Sequence, residues 1–351
     1  MDMKRDYYED IQLLDSGVLW FWFCMLIAAL VAFPFIAPNF YIYMANYMAI
    51  NVIVTVGLNI LVGYTGQISL GHAGFFALGA YGTVLLMTAL HLPFLLALVI
   101  SGFIAAFFGF VLGLPALRLE GPYLAIATLG FGMAITQVIG RWEVFGGRMG
   151  LETPPLDFFS LVLDTDVERY FLIIPITFFM TWSARNLMRT RVGRAFIAIR
   201  DSDIAAETMG VNLTLYKTLA FAVSAFYTGI AGGLFAFLLG FINPSTFNFI
   251  LSIYFLAFVI VGGIGSIFGS VMGGVVMTFL MLELDKVQEL TFLRIGDMLA
   301  SFSEAWMTLA GLPNIASVIF GLIIILLVVF EPLGLYGFWI RTKIYWKTWP
   351  F

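Results

Sequence analysis

Apolar residues in this chain run in long continuous stretches rather than in alternation. Ten stretches approach membrane-crossing length: 18–36, 41–62, 70–90, 93–114, 122–140, 170–188, 217–240, 249–265, 267–282 and 314–334. About 20 apolar residues carry a helix across the roughly 30 Å hydrocarbon layer. In lipid the backbone must satisfy its own hydrogen bonds, and unbroken apolar runs favour helices over a closed barrel. The pattern therefore predicts an all-α, polytopic integral membrane helical bundle of about ten transmembrane helices. The eighth and ninth stretches are short and split by glycine, so eight to ten are expected. Composition agrees: 62% of the 351 residues are hydrophobic and 11% are charged, against about 25% charged in soluble domains. No separate soluble domain is expected.

The distribution of charge orients the bundle, because lysine and arginine concentrate in cytoplasmic segments. With the N-terminus inside, twelve of the seventeen basic residues fall on the cytoplasmic side: Lys4, Arg5, Arg118, Arg185, Arg189, Arg191, Arg194, Arg200, Lys217, Arg341, Lys343 and Lys347. The segments 141–169 and 283–313 hold eleven acids and read as external loops. Both termini are then cytoplasmic, with a lead over 1–17, a transmembrane domain over 18–334 and a tail over 335–351. The lead lacks a signal peptide's basic start and small-residue cleavage site, and reads as a cytoplasmic amphipathic segment. The single cysteine, Cys24, excludes an internal disulfide and reads as a packing residue.

Two stretches are dense in glycine, "GYTGQISLGHAGFFALGAYG" at 63–82 and "VGGIGSIFGSVMGGVV" at 261–276. Such interruptions in the two halves of a chain point to a transport site. Glycines can bring helices close together, or they can break helices and expose backbone to a cavity. Packing suits 262–274, whose polar content is slight, and the 74–79 part of the first stretch. A cavity suits 63–74, where Tyr64, Thr65, Gln67, Ser69 and His72 cluster, because lipid does not tolerate that polar density without partners. These five are the candidate substrate-pathway residues. A helix starting at His72 would also offer backbone N–H groups to an anionic group. His72 equally suits a neutral hydrogen-bonding role, since no intramembrane acid stands out as a proton-relay partner. Asn51, Asn59, Thr128, Thr136 and Gln137 read as hydrogen-bonding links between helices, and His91 as a solvated turn residue.

The long cytoplasmic segment 185–217 is too charged for the bilayer and too patterned for a plain linker. Asp201, Ser202 or Asp203 can cap a short helix, and Gly210 can end it in a left-handed turn. Its apolar positions, Phe196, Ile199, Ala206, Met209 and Val211, need a partner.

"IAAETMG", Ile204 to Gly210, is similar to the EAA-x3-G signature of ABC importer permeases, with Ile204 in place of the leading glutamate. Around it, "GRAFIAIRDSDIAAETMGVNLTLYKTLAFAVSAFYTGIAGGL" resembles branched-chain amino acid ABC permeases of the LivM type. "GYTGQISLGHAGFFALGAY", "LRLEGPYLAIATLGFG" and "GGIGSIFGSVMGGVV" resemble that family in the same order, over roughly residues 45 to 280. At 145–155, Gly146, Gly147, Gly150 and Leu151 fit the family's pattern, while Phe145 stands where threonine is usual.

The resemblance implies coupling to an ATPase through Arg194, Arg200, Asp201, Asp203, Ala205, Ala206, Glu207 and Gly210. It implies a homologous second permease forming a heterodimer, two cytoplasmic ABC ATPases and a periplasmic or extracytoplasmic substrate-binding protein. The implied cargo is a branched-chain or related hydrophobic amino acid, and the implied location is the cytoplasmic (inner) membrane of a prokaryote. No nucleic acid partner is expected.

The chain has no GxxxxGK[ST] phosphate-binding loop and no Cys/His cluster. It is therefore expected to be no enzyme and to hold no cofactor, with ATP and Mg bound by the partner ATPases. Scarce charge inside the spans argues against an ion-coupled carrier. Other readings stay open: an ABC permease for urea, short amides or other amino acids, or a transporter working alone.

Overall fold

Each of the ten apolar stretches coincides with a helix in a computed structural model, which describes residues 17–117, 119, 121–155, 157–158, 161–162, 165–299, 315–331 and 333–348. The helices are α1 (Gly17–Ile36), α2 (Asn39–Thr65), α3 (His72–Leu90), α4 (Phe94–Ala116), α5 (Pro122–Arg141) and α6 (Asp166–Arg189). Two short helices follow, α7 (Arg191–Asp201) and α8 (Asp203–Thr208). Then come α9 (Leu213–Leu239), α10 (Phe249–Gly262), α11 (Ile267–Leu299), α12 (Ile315–Phe330) and α13 (Gly334–Thr348). Seven helices among the described residues are long and apolar enough to cross a membrane. The 14 residues of α10 reach only about 21 Å at 1.5 Å per residue. By itself α10 does not span the bilayer.

Two helices form the centre. Every residue of α2 from 49 to 65 is buried, and so is every residue of α9 from 227 to 238. A helix that is apolar on all sides belongs inside a bundle. Around this pair pack α3, α4, α6 and α11. Small residues set the spacing, as the sequence led us to expect: a Cβ on Gly79 of α3 would collide with the backbone of Gly229 on α9. In the second glycine stretch, Gly262 similarly meets Gly269 and Gly273. Between these backbones Phe76 contacts Phe235 and Phe255, with ring centroids 5.0 and 5.3 Å apart.

Three boundaries differ from those expected, two of them through local capping. α6 begins at Asp166 rather than 170, because Thr165 and Glu168 form a reciprocal capping box. α9 begins at Leu213 rather than 217, because the Asn212 side chain accepts the Leu215 N–H at 3.0 Å. α11 continues to Leu299, so the first part of the predicted 283–313 loop is helix; 300–314 lie outside the described residues, as do lead residues 1–16 and Arg118. The segment 141–169 holds two short 3-10 turns and a two-residue strand, β1 (Leu151–Glu152). A small hairpin, β2 (Asp157–Phe158) with β3 (Leu161–Val162), follows it. β1 pairs antiparallel with β4 (Phe241–Ile242), tying this segment to the end of α9.

Candidate functional site

Two helix interruptions meet at the end of the bundle that carries α7 and α8. The first lies between α2 and α3. Gly66 has φ of 72°, and the chain closes α2 with Gly66 N–H on Val62 O and Gln67 N–H on Leu61 O, both at 3.2 Å. This paired left-handed ending suits a residue without Cβ.

The polar residues of the stretch hold the interruption in place. Thr65 Oγ1 donates to Leu61 O at 2.5 Å, and Gln67 Nε2 donates to Thr65 Oγ1 at 3.0 Å. Ser69 Oγ lies 3.0 Å from His72 Nδ1, and His72 Nε2 lies 2.7 Å from Ser224 Oγ on α9. Leu70 N–H donates to Thr128 Oγ1 on α5, and Ala73 N–H donates to Ser252 Oγ on α10. Thr65, Gln67, Ser69 and His72 are all buried, and so is Tyr64. Gly66 and Ile68 are the exposed members of 63–69.

The expected open helix start at His72 is therefore occupied. The amides of Leu70, Gly71 and Ala73 bond Thr128, Ser69 and Ser252, and that of Gly74 bonds Gly71 O. An anion meeting α3 would have to displace these hydroxyls.

The second interruption, 263–266, separates α10 from α11 and has positive φ at Gly263 (122°) and Gly265 (77°). Ser266 Oγ accepts the Gly269 N–H at 3.1 Å, and the other ties come from another helix. Asn59 of α2 accepts the Gly265 N–H at 2.9 Å and donates to Ser266 O at 2.9 Å and Ser270 Oγ at 2.6 Å. One turn-pair away on the same helix, Asn51 donates to Thr278 Oγ1 at 2.9 Å. A Cβ on Gly63 would collide with the Gly265 backbone, so the last turn of α2, next to the first interruption, packs against the second. On the far side, Gly334 at the start of α13 packs against Gly263.

The predicted coupling residues separate into two sets. Ser202 caps α8 by accepting the Ala205 N–H at 3.3 Å, and Gly210 follows it with φ of 84°. The expected short capped helix is α8, with α7 preceding it, and the apolar positions of the segment divide between a buried and an exposed face. Phe196, Ile199 and Ala206 are buried against the bundle, while Ile204 and Met209 are 78% and 85% exposed. Ala205, Glu207, Asp201 and Arg194 are exposed as well. Asp203 pairs with Lys217, fixing α8 to α9. Arg200 is exposed too, yet its Nη1 reaches inward to donate to Gly63 O at 3.2 Å, while Nε and Nη2 donate to Asp201 Oδ1 at 3.1 and 3.0 Å.

Some participants were not singled out from the sequence. Ser224, Ser252 and Ser270 are lone hydroxyls in apolar helices, where a serine can simply bond its own backbone, and Ser266 sits in the turn between two of them. Asn59, Asn51 and Thr128 do link helices as expected. Thr136 bonds Gly132 O and Met133 O of its own helix, and Gln137 is exposed. At the opposite end, Phe145 stacks on Trp142 (centroids 5.9 Å apart) and meets Tyr81 edge-on. An aromatic here serves packing. Among the described residues no group of three His, Cys, Asp or Glu could hold a metal ion.

A family model described as "Branched-chain amino acid transport system / permease component" matches residues 40–329, which include both interruptions and the α7–α8 segment. The chain belongs to this permease family. The high-affinity branched-chain amino acid transport system permease protein LivM of Salmonella typhimurium is 33% identical over 299 residues, covering 78% of this permease and 70% of the relative. LivM of Escherichia coli strain K12 matches to the same extent. The autoinducer 2 import system permease protein LsrC of Salmonella paratyphi B is 29% identical over 204 residues, 57% of this permease and 56% of the relative. No solved structure matches the chain significantly. This permease is thus a polytopic helical membrane protein of a transport family.

Proposed function

We propose that this permease is the membrane subunit of an ABC importer in a prokaryotic cytoplasmic membrane. It moves branched-chain or related hydrophobic amino acids, using ATP hydrolysed, with Mg, by partner subunits. The observation that carries the reading is α8. A helix capped by Ser202, stopped at Gly210 and anchored by Asp203–Lys217 holds Ile204 and Met209 outside the bundle. Exposed apolar side chains on a stiff projection suit a protein partner. The same end carries Arg185, Arg189, Arg191, Arg194, Lys217, Arg341 and Lys343, which favours the cytoplasmic side. The partner there is an ABC ATPase.

Coupling residues then take different parts. Ile204, Ala205, Glu207 and Met209 form the docking face, with Arg194 and Asp201 at its margin. Ala206 and Gly210 shape it, and Asp203 and Arg200 tie it to the bundle. Closure of the ATPase pair displaces α8 and rocks the bundle between outward and inward states. Substrate passes between this chain and a homologous permease, delivered by an external binding protein. On that path Gly66 and Ile68 present the surface of the first interruption, held from behind by Tyr64, Thr65, Gln67, Ser69 and His72.

The test is uptake of labelled leucine by the assembled importer in proteoliposomes, with ATP inside and the binding protein outside. Leucine uptake that needs ATP and the ATPases is expected, with little competition from urea. ATP-driven uptake of urea in place of leucine would move the permease to another substrate class. Uptake by the chain alone would sink the ABC reading.

A further inference from the structure

Ending α2 at Gly66 frees a carbonyl. In a continuing helix Gly63 O would accept the Gln67 N–H, but that N–H has turned back to Leu61 O. Arg200 takes the freed oxygen at 3.2 Å. A Cβ on Gly265 would lie 2.9 Å from the same Nη1 atom, so the guanidinium also lies against the second interruption. Its remaining donors hold Asp201, the last residue of α7. One side chain therefore touches the end of α2, the turn at 263–266 and the root of α8. An arginine fits because its rigid fork can serve a carbonyl and a carboxylate together, with the charge strengthening both bonds.

We propose that Arg200 is a positioning residue that transmits displacement of α8 to both helix interruptions, so that they shift together when the ATPases close. This rests on the importer reading and adds a route from docking surface to transport path. Arg200 then acts inward, on the junction, rather than outward on the ATPase.

The experiment uses the complete importer in nanodiscs, with cysteine-free partner subunits and this chain as Cys24→Ser. Spin labels are placed singly at Ile204→Cys and Ile68→Cys, both at exposed positions. In the parental chain, trapping the ATPases with ATP and vanadate should alter both spectra. In Arg200→Gln the label at 204 should still respond and the label at 68 should not, while leucine uptake falls about tenfold, within the range usual for coupled sites. Arg200→Lys keeps the charge but gives up the rigid fork that holds the carbonyl and the carboxylate together, and covers the case in which Gln prevents folding. It should keep the response at 204 and give a reduced response at 68. A full response at 68, or uptake at the parental rate, in the folded variants would overturn the proposal. So would loss of the response at 204 in Arg200→Gln, which would place Arg200 at the docking face. No response at 204 in the parental chain would overturn the importer reading, and the proposal with it.

Discussion

The two interruptions at the α7–α8 end reach the same result by different means. The first supplies most of its own side-chain ties, since Thr65, Gln67, Ser69 and His72 lie within it or at its borders, while Thr128 and Ser252 of neighbouring helices hold two of its amides. The second has one tie of its own, Ser266 Oγ accepting the Gly269 N–H at 3.1 Å, and borrows the rest from Asn59 of α2 and the flank of Arg200. A self-tied break can keep its shape while its surroundings move. A break tied from another helix must follow that helix. The first therefore keeps its internal shape and moves as a unit, and the second follows α2.

The comparison can be broken most severely at Asn59. Asn59→Ala removes three hydrogen bonds and orphans the Gly265 N–H. At roughly 0.6–1 kcal/mol per bond in a membrane bundle, plus the unpaired donor, the loss should be about 3 kcal/mol. Thermal unfolding in detergent reads it. His72→Phe comes next, at about 1–1.5 kcal/mol, because Ser69 and Ser224 can turn to backbone acceptors once the ring is gone. Gly66→Ala should cost about 1 kcal/mol through its left-handed φ, since its Cβ would meet only Arg200 atoms, at 3.6 Å or more. Ile204→Ala and Met209→Ala touch neither break and should change stability by less than about 0.5 kcal/mol. Their effect should appear in leucine uptake by the assembled importer, which falls as the ATPase docks less firmly. A loss of stability as large as that of Asn59→Ala would show instead that α8 is part of the core.

Much of this architecture was legible in the residues. The ten apolar runs marked the helices, and the spacing of Ser202 and Gly210 marked the ends of α8, because capping is local chemistry. The glycines at 74–79 and 262–274 pointed to close packing, which Gly79 against Gly229 and Gly262 against Gly269 display. Direction was harder to read. The polar density at 63–74 signalled that partners were needed, and it suggested side chains around a cavity. In the structure those side chains turn inward, and the exposed surface of the break is at Gly66 and Ile68. Asn59 likewise announced a partner, but Gly265 lies 206 positions away, and only tertiary packing selects it. Arg200 was among the residues implied for coupling, but its inward partner Gly63 O was not legible, because arginines in a cytoplasmic segment are already accounted for by topology.

Hydrogen–deuterium exchange of Asn59→Ala tests the central claim, that one break is self-tied and the other is held by α2, most directly. Amide exchange reports local opening, segment by segment. The account predicts faster exchange in peptides covering 263–270, with 66–73 unchanged. Ser69→Ala should give the reverse pattern. Equal acceleration of both segments in Asn59→Ala, or of neither, would contradict it.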